Sequence, residues 1–254
     1  MEKFVSDSFF SGLSGLQLPI PKHLFPSPFK DSSRLTYYAS LFNSIEINST
    51  FYKIPQEATV AKWAASVRKQ FKFTFKLWKE ITHSKGFTFS KSDVWTFFKA
   101  INSVEDQRGC ILIQLPPGVG KEYIPQLEEL LGCMSEVNTS WNIAIEFRNK
   151  TWYNDATYKL LNLFNAALVV HDMPGSATPE ISHVSDFMYI RFHGPTGNYR
   201  DSYSQVFLME YSSYIMEFLT EGKEVYVYFN NTMGDAFNNL KTINNAFQIS
   251  ASCL

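Results

Sequence analysis

The feature that most constrains the fold is a regular alternation of short runs rich in β-branched and aromatic residues with longer amphipathic segments of helical periodicity. This alternation is typical of parallel strands joined by crossover helices. Eight strands are the number that closes a (β/α)8 TIM-type barrel, so we expect that member of the α/β class. The predicted strands are 9–13, 44–48, 71–76, 110–115, 142–148, 167–172, 187–193 and 224–230.

The segments between the strands are predicted to be helical, with Ser92 and Asp155 as N-caps. Only 173–186, which contains Pro174 and Pro179, lacks a helical pattern and is predicted to be a loop. No break in composition divides the 254 residues, so we expect residues 1–254 to form a single barrel domain. The predicted helices are 33–42, 58–67, 92–104, 122–136, 155–164, 204–219 and 234–247.

An open, doubly wound sheet would show the same alternation of strands and helices. Such folds often bind dinucleotides through a glycine-rich loop after the first strand. Gly12 and Gly15 are too few for that fingerprint, so the barrel is the favoured architecture.

Charge and cysteine content limit the classes of function. The 23 Lys and Arg residues balance 24 Asp and Glu residues, so any site for an anion must be local. No apolar run is long enough to cross a bilayer, which predicts no membrane partner. Cys110, Cys133 and Cys253 are widely separated and odd in number, and we expect them to be reduced thiols of a cytoplasmic protein.

Polar residues collect where the predicted strands end, which is where the active sites of parallel barrels lie. Residues two apart on a strand share a face. This alternation pairs Glu46 with Asn48, Glu146 with Arg148 and Arg191 with His193. We therefore predict catalytic roles in proton transfer for Glu46, Glu146 and His193. The predicted substrate-binding residues are Asn48, Lys76, His83, Gln114, Arg148, Asp172, Arg191, Asn230 and Asn231.

Alternative interpretations apply to several of these residues. The carboxylates and cations could be compensating ion pairs that close the top of the barrel. His171 and Asp172 are neighbours, so only one is expected to point inward, and we favour Asp172. His83 follows the third strand as either a surface residue or a donor at the pocket rim.

No metal site is predicted, because no motif such as His-Glu-x-x-His appears and the carboxylates are more readily explained as partners of Lys76, Arg148 and Arg191. The sequence indicates no particular cofactor. Aromatic side chains could stack on a base or sugar, and we expect one or two of them at the mouth. The candidates are Tyr52, Trp63, Trp78, Trp152 and Tyr199.

The motifs at the strand ends are, in order, Glu46-Ile47-Asn48-Ser49-Thr50-Phe51-Tyr52, Phe73-Thr74-Phe75-Lys76, Ile81-Thr82-His83, Gln114-Leu115-Pro116-Pro117, Glu146-Phe147-Arg148, Arg191-Phe192-His193-Gly194 and Tyr226-Val227-Tyr228-Phe229-Asn230-Asn231. This series resembles that of the YecE-like proteins, called domain of unknown function seventy-two. The resemblance implies a TIM-type barrel similar in shape to the xylose isomerase and endonuclease IV group, and it implies no established activity. This chain has Leu13 and Leu16 where the family usually has Thr and Trp, and Asn149 where it usually has His.

Two hypotheses of function follow. The first is an enzyme for a phosphorylated or otherwise anionic small substrate, held by Lys76, Arg148 and Arg191. The second is a nucleic-acid-binding or repair-like barrel resembling endonuclease IV in fold, against which the formal net charge of −1 counts. A binding protein without turnover is a third possibility.

Overall fold

Eight parallel strands form one sheet that curls into a nearly closed barrel, which confirms the predicted architecture. The computed structural model describes residues 7–137, 140–179 and 185–247. Around the barrel the strand order is β1-β8-β7-β6-β5-β4-β3-β2. The strands are β1 (Phe9–Leu13), β2 (Ser44–Ile47), β3 (Lys72–Lys76), β4 (Arg108–Leu115), β5 (Asn142–Phe147), β6 (Ala167–His171), β7 (Phe187–Phe192) and β8 (Glu224–Phe229).

Helices cover the outside of the barrel and agree with the predicted segments to within a few residues at each end. The described part of 173–186 contains no helix, as expected, while residues 180–184 lie outside the described ranges. The helices are α1 (Arg34–Leu41), α2 (Glu57–Ala65), α3 (Lys79–Thr82), α4 (Lys91–Ile101), α5 (Ile124–Val137), α6 (Asp155–Leu163), α7 (Gln205–Thr220) and α8 (Ala236–Ala246). The single turn α3 was not predicted.

The two predicted N-caps are wrong by one or two positions. Ser90 caps α4 by accepting a hydrogen bond from the Ser92 backbone N–H, and Asn154 caps α6 through the Thr157 N–H. An N-cap residue lies just outside the helix, whereas Ser92 and Asp155 already belong to the first turn. There Asp155 still stabilises α6, because its negative charge faces the positive end of the helix dipole.

Alternation along each strand divides the apolar residues between two cores. One set packs between the sheet and the helices, as Met188, Ile190 and Phe192 of β7 do. The other fills the barrel interior and is rich in aromatic rings, including Tyr189 and Tyr226. The interior therefore has the side-chain packing of a TIM barrel and not a channel.

The cysteines agree with the predicted thiol state as far as the structure describes them. Cys110, in the barrel interior, and Cys133, on α5, are buried and free. Cys253 lies outside the described residues. Within the described ranges, every helix is too short or too polar to span a bilayer.

The contact between β1 and β2 closes the barrel largely through side chains. Asn43 accepts from the Ser11 N–H at 2.9 Å and donates to the Phe9 carbonyl at 2.7 Å. The Tyr38 hydroxyl accepts from the Leu13 N–H at 2.7 Å and donates to the Ser44 carbonyl at 3.0 Å. These bonds satisfy backbone groups that a neighbouring strand would otherwise pair.

The backbones come together again at the carboxyl end of this contact, where the Gly15 N–H donates to the Glu46 carbonyl at 2.8 Å. Gly12 permits the approach of the two strands, because a Cβ atom there would lie 2.2 Å from the Ser44 carbonyl oxygen. An open sheet is therefore excluded, since β1 contacts both β8 and β2.

Replacing Tyr38 by Phe tests the side-chain bridge. The substitution leaves the buried Leu13 N–H and Ser44 carbonyl without their partner, so we expect it to lower the free energy of unfolding by about 1–3 kcal/mol. Urea unfolding measures this change. Tyr37→Phe, at the neighbouring position of α1, is the matched control and should leave stability nearly unchanged. Equal stability of the two variants would show that the bridge contributes little.

Candidate functional site

The predicted charged residues do meet at the carboxyl end of the barrel, around the Arg191 guanidinium. Arg191 Nε and Nη2 donate to the two carboxylate oxygens of Glu46 at 3.0 and 2.8 Å. Arg191 Nη1 donates to Glu146 Oε2 at 2.6 Å. All three side chains are almost completely buried. Arg191 thus joins strands β2, β5 and β7 through one planar group.

Arg148 extends this network toward the mouth. Its Nε donates to Glu146 Oε1, and its Nη2 lies 2.9 Å from His193 Nε2. Since Arg191 Nη1 also lies 3.3 Å from that nitrogen, His193 Nε2 faces two obligate donors and must accept. The proton of neutral His193 is then on Nδ1, which points at Asp172 Oδ1 at 3.3 Å.

His171 and Asp172 both lie beside His193, so the expectation that only one would point inward is wrong. Strand β6 ends at His171, which has the inward parity of Val169. Asp172 lies beyond the strand, where alternation no longer applies. Its Oδ1 accepts from the His193 backbone N–H at 2.8 Å, and its Oδ2 accepts from the Tyr203 hydroxyl.

Two tyrosines complete the network and were not among the predicted site residues. Tyr189 donates to Glu46 Oε2 at 2.6 Å. It lies two residues before Arg191 on β7, so strand parity could have identified it. Tyr203 belongs to the loop before α7, and its hydroxyl accepts from the Gly194 N–H at 2.5 Å. No local pattern in the sequence points to that contact.

The pKa shifts follow from burial and pairing. Burial alone raises a carboxyl pKa, but attraction to Arg191 and its hydrogen bonds outweigh this and hold the pKa of Glu46 below its usual range. Arg191 and Arg148 together hold the pKa of Glu146 well below its usual range. Burial lowers the pKa of His193 despite the nearby Glu146. The two glutamates are therefore ionised at neutral pH and His193 is neutral.

A second group surrounds Lys76 at the end of β3. Lys76 Nζ donates to Gln114 Oε1 at 2.7 Å and lies 4.2 Å from the centre of the Phe51 ring. Among the described residues, no carboxylate lies within 4.0 Å of this ammonium. His83 packs edge-on against Phe51, with ring centroids 4.8 Å apart.

Burial also affects the titration of this second group. Burial and the positive charge of Arg191 lower the pKa of Lys76 to about 8. Loss of hydration and the positive Lys76 lower the pKa of His83 to about 4. His83 Nδ1 lies 2.8 Å from Thr82 Oγ1, so the ring is held at the rim next to Phe51.

The predicted asparagines have different surroundings. Asn48 starts the turn after β2, and its buried Oδ1 accepts no hydrogen bond from the described residues. Asn230 is half-buried at the end of β8, where its backbone N–H donates to the Phe192 carbonyl. Asn231 donates to the Asp201 carbonyl and to Asn239 of α8, so it ties a loop to a helix and does not join the charged network.

Of the five candidate aromatic residues, two lie beside the site residues. Tyr52 is 69% exposed next to Phe51, and the Tyr199 ring lies 5.8 Å from that of His193. Trp152 is fully buried and stacks on Phe147. Trp63 and Trp78 pack against the outer core. Within the described ranges, no group of three or more His, Cys, Asp or Glu side chains is arranged to hold a metal ion.

The fold and its polar strand ends define a TIM-type barrel with a buried ion-pair network at its mouth. A family model described as "Protein of unknown function DUF72" matches residues 10–253, and the chain belongs to this family. The resemblance stated from the sequence motifs is therefore confirmed.

Several relatives share the sequence or the fold. The UPF0759 protein YunF of Bacillus subtilis (strain 168) is 26% identical over an alignment of 264 positions, gaps included. The alignment covers 91% of this chain and 92% of that protein. The UPF0759 protein YecE of Escherichia coli K12 is 26% identical over 119 residues, covering 47% of this chain and 43% of that one.

Crystal structures of two DUF72 family proteins superpose on the barrel. The protein from Enterococcus faecalis V583 matches with a TM-score of 0.79 and 22% identity, over 95% of this chain and 96% of that one. The protein from Thermotoga maritima MSB8 matches with a TM-score of 0.73 and 25% identity, over 94% and 99%. These likenesses support the single-barrel architecture.

Removing Arg191 tests whether the network stabilises the fold. We expect Arg191→Met to lower the free energy of unfolding by roughly 3–5 kcal/mol, because Glu46 and Glu146 would be left buried without this cation. Arg191→Lys keeps the charge but loses the planar fork, so its stability should fall between those of the wild type and Arg191→Met. Arg200→Met, on the exposed loop before α7, is the control. If Arg191→Met were as stable as the control, a structural role for the network would be contradicted.

We expect His171 to make the free energy of unfolding depend on pH. Burial lowers its pKa to about 4, and its Nδ1 accepts from the Met173 N–H while Nε2 donates to the Phe147 carbonyl. As the pH falls, His171 binds a proton near pH 6.5 in the unfolded chain but only near pH 4 in the folded protein. The contribution of His171 to the free energy of unfolding is therefore complete above about pH 6.5 and is lost as the pH falls toward 4. We expect a slope of roughly 1.4 kcal/mol per pH unit for each such histidine.

Urea unfolding between pH 4.5 and 7 measures this slope. His171→Gln should show a smaller slope than the wild type, whatever its absolute stability. His23→Gln, on an exposed turn, is the matched control and should keep the wild-type slope. Identical slopes for all three proteins would rule out His171 as a source of the pH dependence.

Proposed function

We propose that the mouth of the barrel binds a small anionic molecule. Lys76 Nζ and Arg148 Nη1 would hold its phosphate or carboxylate group. The observation that carries this proposal is the Lys76 ammonium, which has a neutral amide and an aromatic ring as neighbours and no carboxylate within 4.0 Å among the described residues. An incoming anion would supply the missing negative charge.

The charges around Lys76 support the same conclusion. Three cations, Lys76, Arg148 and Arg191, face the two buried carboxylates Glu46 and Glu146. All three guanidinium nitrogens of Arg191 donate to those carboxylates. We therefore assign the binding of the anion to Lys76 and Arg148 and no longer to Arg191. Arg148 donates through Nε and Nη2 and keeps Nη1 without a hydrogen bond to the described residues.

The catalytic roles proposed for Glu46, Glu146 and His193 stay predictions. Their acceptor atoms are already engaged by guanidinium or hydroxyl donors, and a general base needs a lone pair that can reach the substrate. We therefore favour a role in which these three residues position the groups that bind the ligand, and not one in which they transfer protons to or from it. Gln114, Asn48, Asn230 and His83 are the neutral groups proposed to orient the ligand at the rim.

The alternative of a nucleic-acid-binding barrel is less well supported. Binding along a phosphate backbone requires a basic surface of considerable length, and the formal net charge of the chain is −1. The Lys76 ammonium, which has no carboxylate partner among the described residues, lies at the end of one strand, β3. A single positive charge at one strand end suits a single small anion. The predicted cytoplasmic location stays a prediction.

Phosphate binding by Lys76→Met tests the proposed function. Inorganic phosphate at a hundred times its dissociation constant should stabilise the wild type by about 2.7 kcal/mol in thermal unfolding, and it should stabilise Lys76→Met little. Lys72→Met removes a lysine from the opposite end of the same strand and should retain the phosphate effect. If phosphate stabilises none of the three proteins, or all three equally, the proposed site is wrong.

A further inference from the structure

Lys76 has the surroundings of a lysine that reacts through its uncharged amine. Its side chain is half-buried, and its ammonium lies against the Phe51 ring and the Gln114 amide oxygen. No carboxylate among the described residues lies within 4.0 Å to stabilise the charged form. Lysines become nucleophiles when they are desolvated or lie beside other cations, and Lys76 meets both conditions.

We propose that Lys76 forms an imine with the carbonyl group of an anionic aldehyde or ketone bound at the mouth. This inference rests on the proposed anion site and names the class of its ligand, a small phosphorylated or carboxylated carbonyl compound. Lys76 and Arg148 would share the anionic group while Lys76 is charged, and Arg148 Nη1 would hold that group once Lys76 reacts as a free amine. Lys76 Nζ would then face the carbonyl carbon.

The reaction is a condensation that loses water. The free amine attacks the carbonyl carbon, a C–N bond forms, and the carbonyl oxygen leaves as water with both amine hydrogens. Starting from the ammonium, the same balance gives a protonated imine and one water, so no net charge is gained or lost. No oxidant or reductant is required for this step.

Burial and the charged groups around Lys76 decide how much free amine is present. Burial disfavours the ammonium most, and Arg191 on β7 and Arg148, the residue after β5, disfavour it further, while Glu146 on β5 and Glu46 on β2 favour it. His83, beside Phe51, is neutral at pH 7 because burial and Lys76 lower its pKa to about 4. With a pKa of about 8, Lys76 holds roughly two hundredfold more free amine at pH 7 than an ordinary lysine does.

Reductive trapping tests the imine. The protein is incubated at pH 7 with glycolaldehyde phosphate and sodium cyanoborohydride, which converts an imine to a stable secondary amine, and the labelled lysines are identified by peptide mass mapping. We expect Lys76 to be labelled at least about tenfold faster than Lys72 in the same wild-type molecules. This comparison does not depend on whether any variant folds. Lys76 labelled no faster than Lys72 would overturn the proposal.

Two further arms separate this inference from the proposed function. Inorganic phosphate should slow labelling of Lys76, and unphosphorylated glycolaldehyde should label it more slowly. If Lys76 is labelled rapidly, and neither added phosphate nor the use of unphosphorylated glycolaldehyde slows the labelling, the reactive lysine would be supported and the anion site refuted. Phosphate binding without preferential labelling would refute the imine and leave the anion site standing. Lys76→Arg keeps a positive charge but has no primary amine, so it should lose the label.

Discussion

The pairing of Arg191 with Glu46 and Glu146 is the interaction on which the carboxyl end of the barrel depends. Burying one guanidinium and two carboxylates is costly unless every charge has a partner and nearly every polar atom has a hydrogen bond. Here the two carboxylates lie on β2 and β5, and the guanidinium comes from β7. One planar side chain therefore connects strands from different sides of the barrel and fixes their relative positions.

The same interaction compensates for the least regular part of the sheet. Strands β1 and β2 are joined mainly by Tyr38 and Asn43, so their contact has fewer direct backbone bonds than the other strand pairs. Glu46 lies at this contact, and its backbone carbonyl accepts from Gly15 while its side chain binds Arg191 and Tyr189. The ion pair thus holds β2 in place where the ladder is weakest.

Much of this arrangement could be predicted from the sequence, because it depends on local periodicity. Alternation along β5 and β7 correctly placed Glu146 and Arg191 on the inner side of the barrel mouth. Beyond a strand end, alternation no longer determines which way a side chain points. Asp172 therefore accepts a hydrogen bond from the His193 N–H, and Asn231 donates to Asn239 of α8.

The specific partners could not be predicted in the same way. The choice of Glu46 and Glu146 for Arg191 depends on the stagger between distant strands, which no single segment encodes. The Tyr203 contact comes from a loop of irregular conformation. The bridge through Tyr38 requires a helix residue to replace part of a strand ladder, an arrangement that has no sequence signature.

The closed network also explains why Lys76 differs from the other buried charges. Once Arg191 and Arg148 have satisfied both glutamates, no acceptor of full negative charge among the described residues is left for a third cation at this end of β3. A glutamine oxygen and an aromatic face stabilise an ammonium less than a carboxylate does, and two guanidinium groups nearby repel it. These surroundings are the basis for the proposals that Lys76 binds an anion and reacts through its free amine. A lysine that served only to stabilise the barrel would be expected to have a carboxylate partner, as both arginines do.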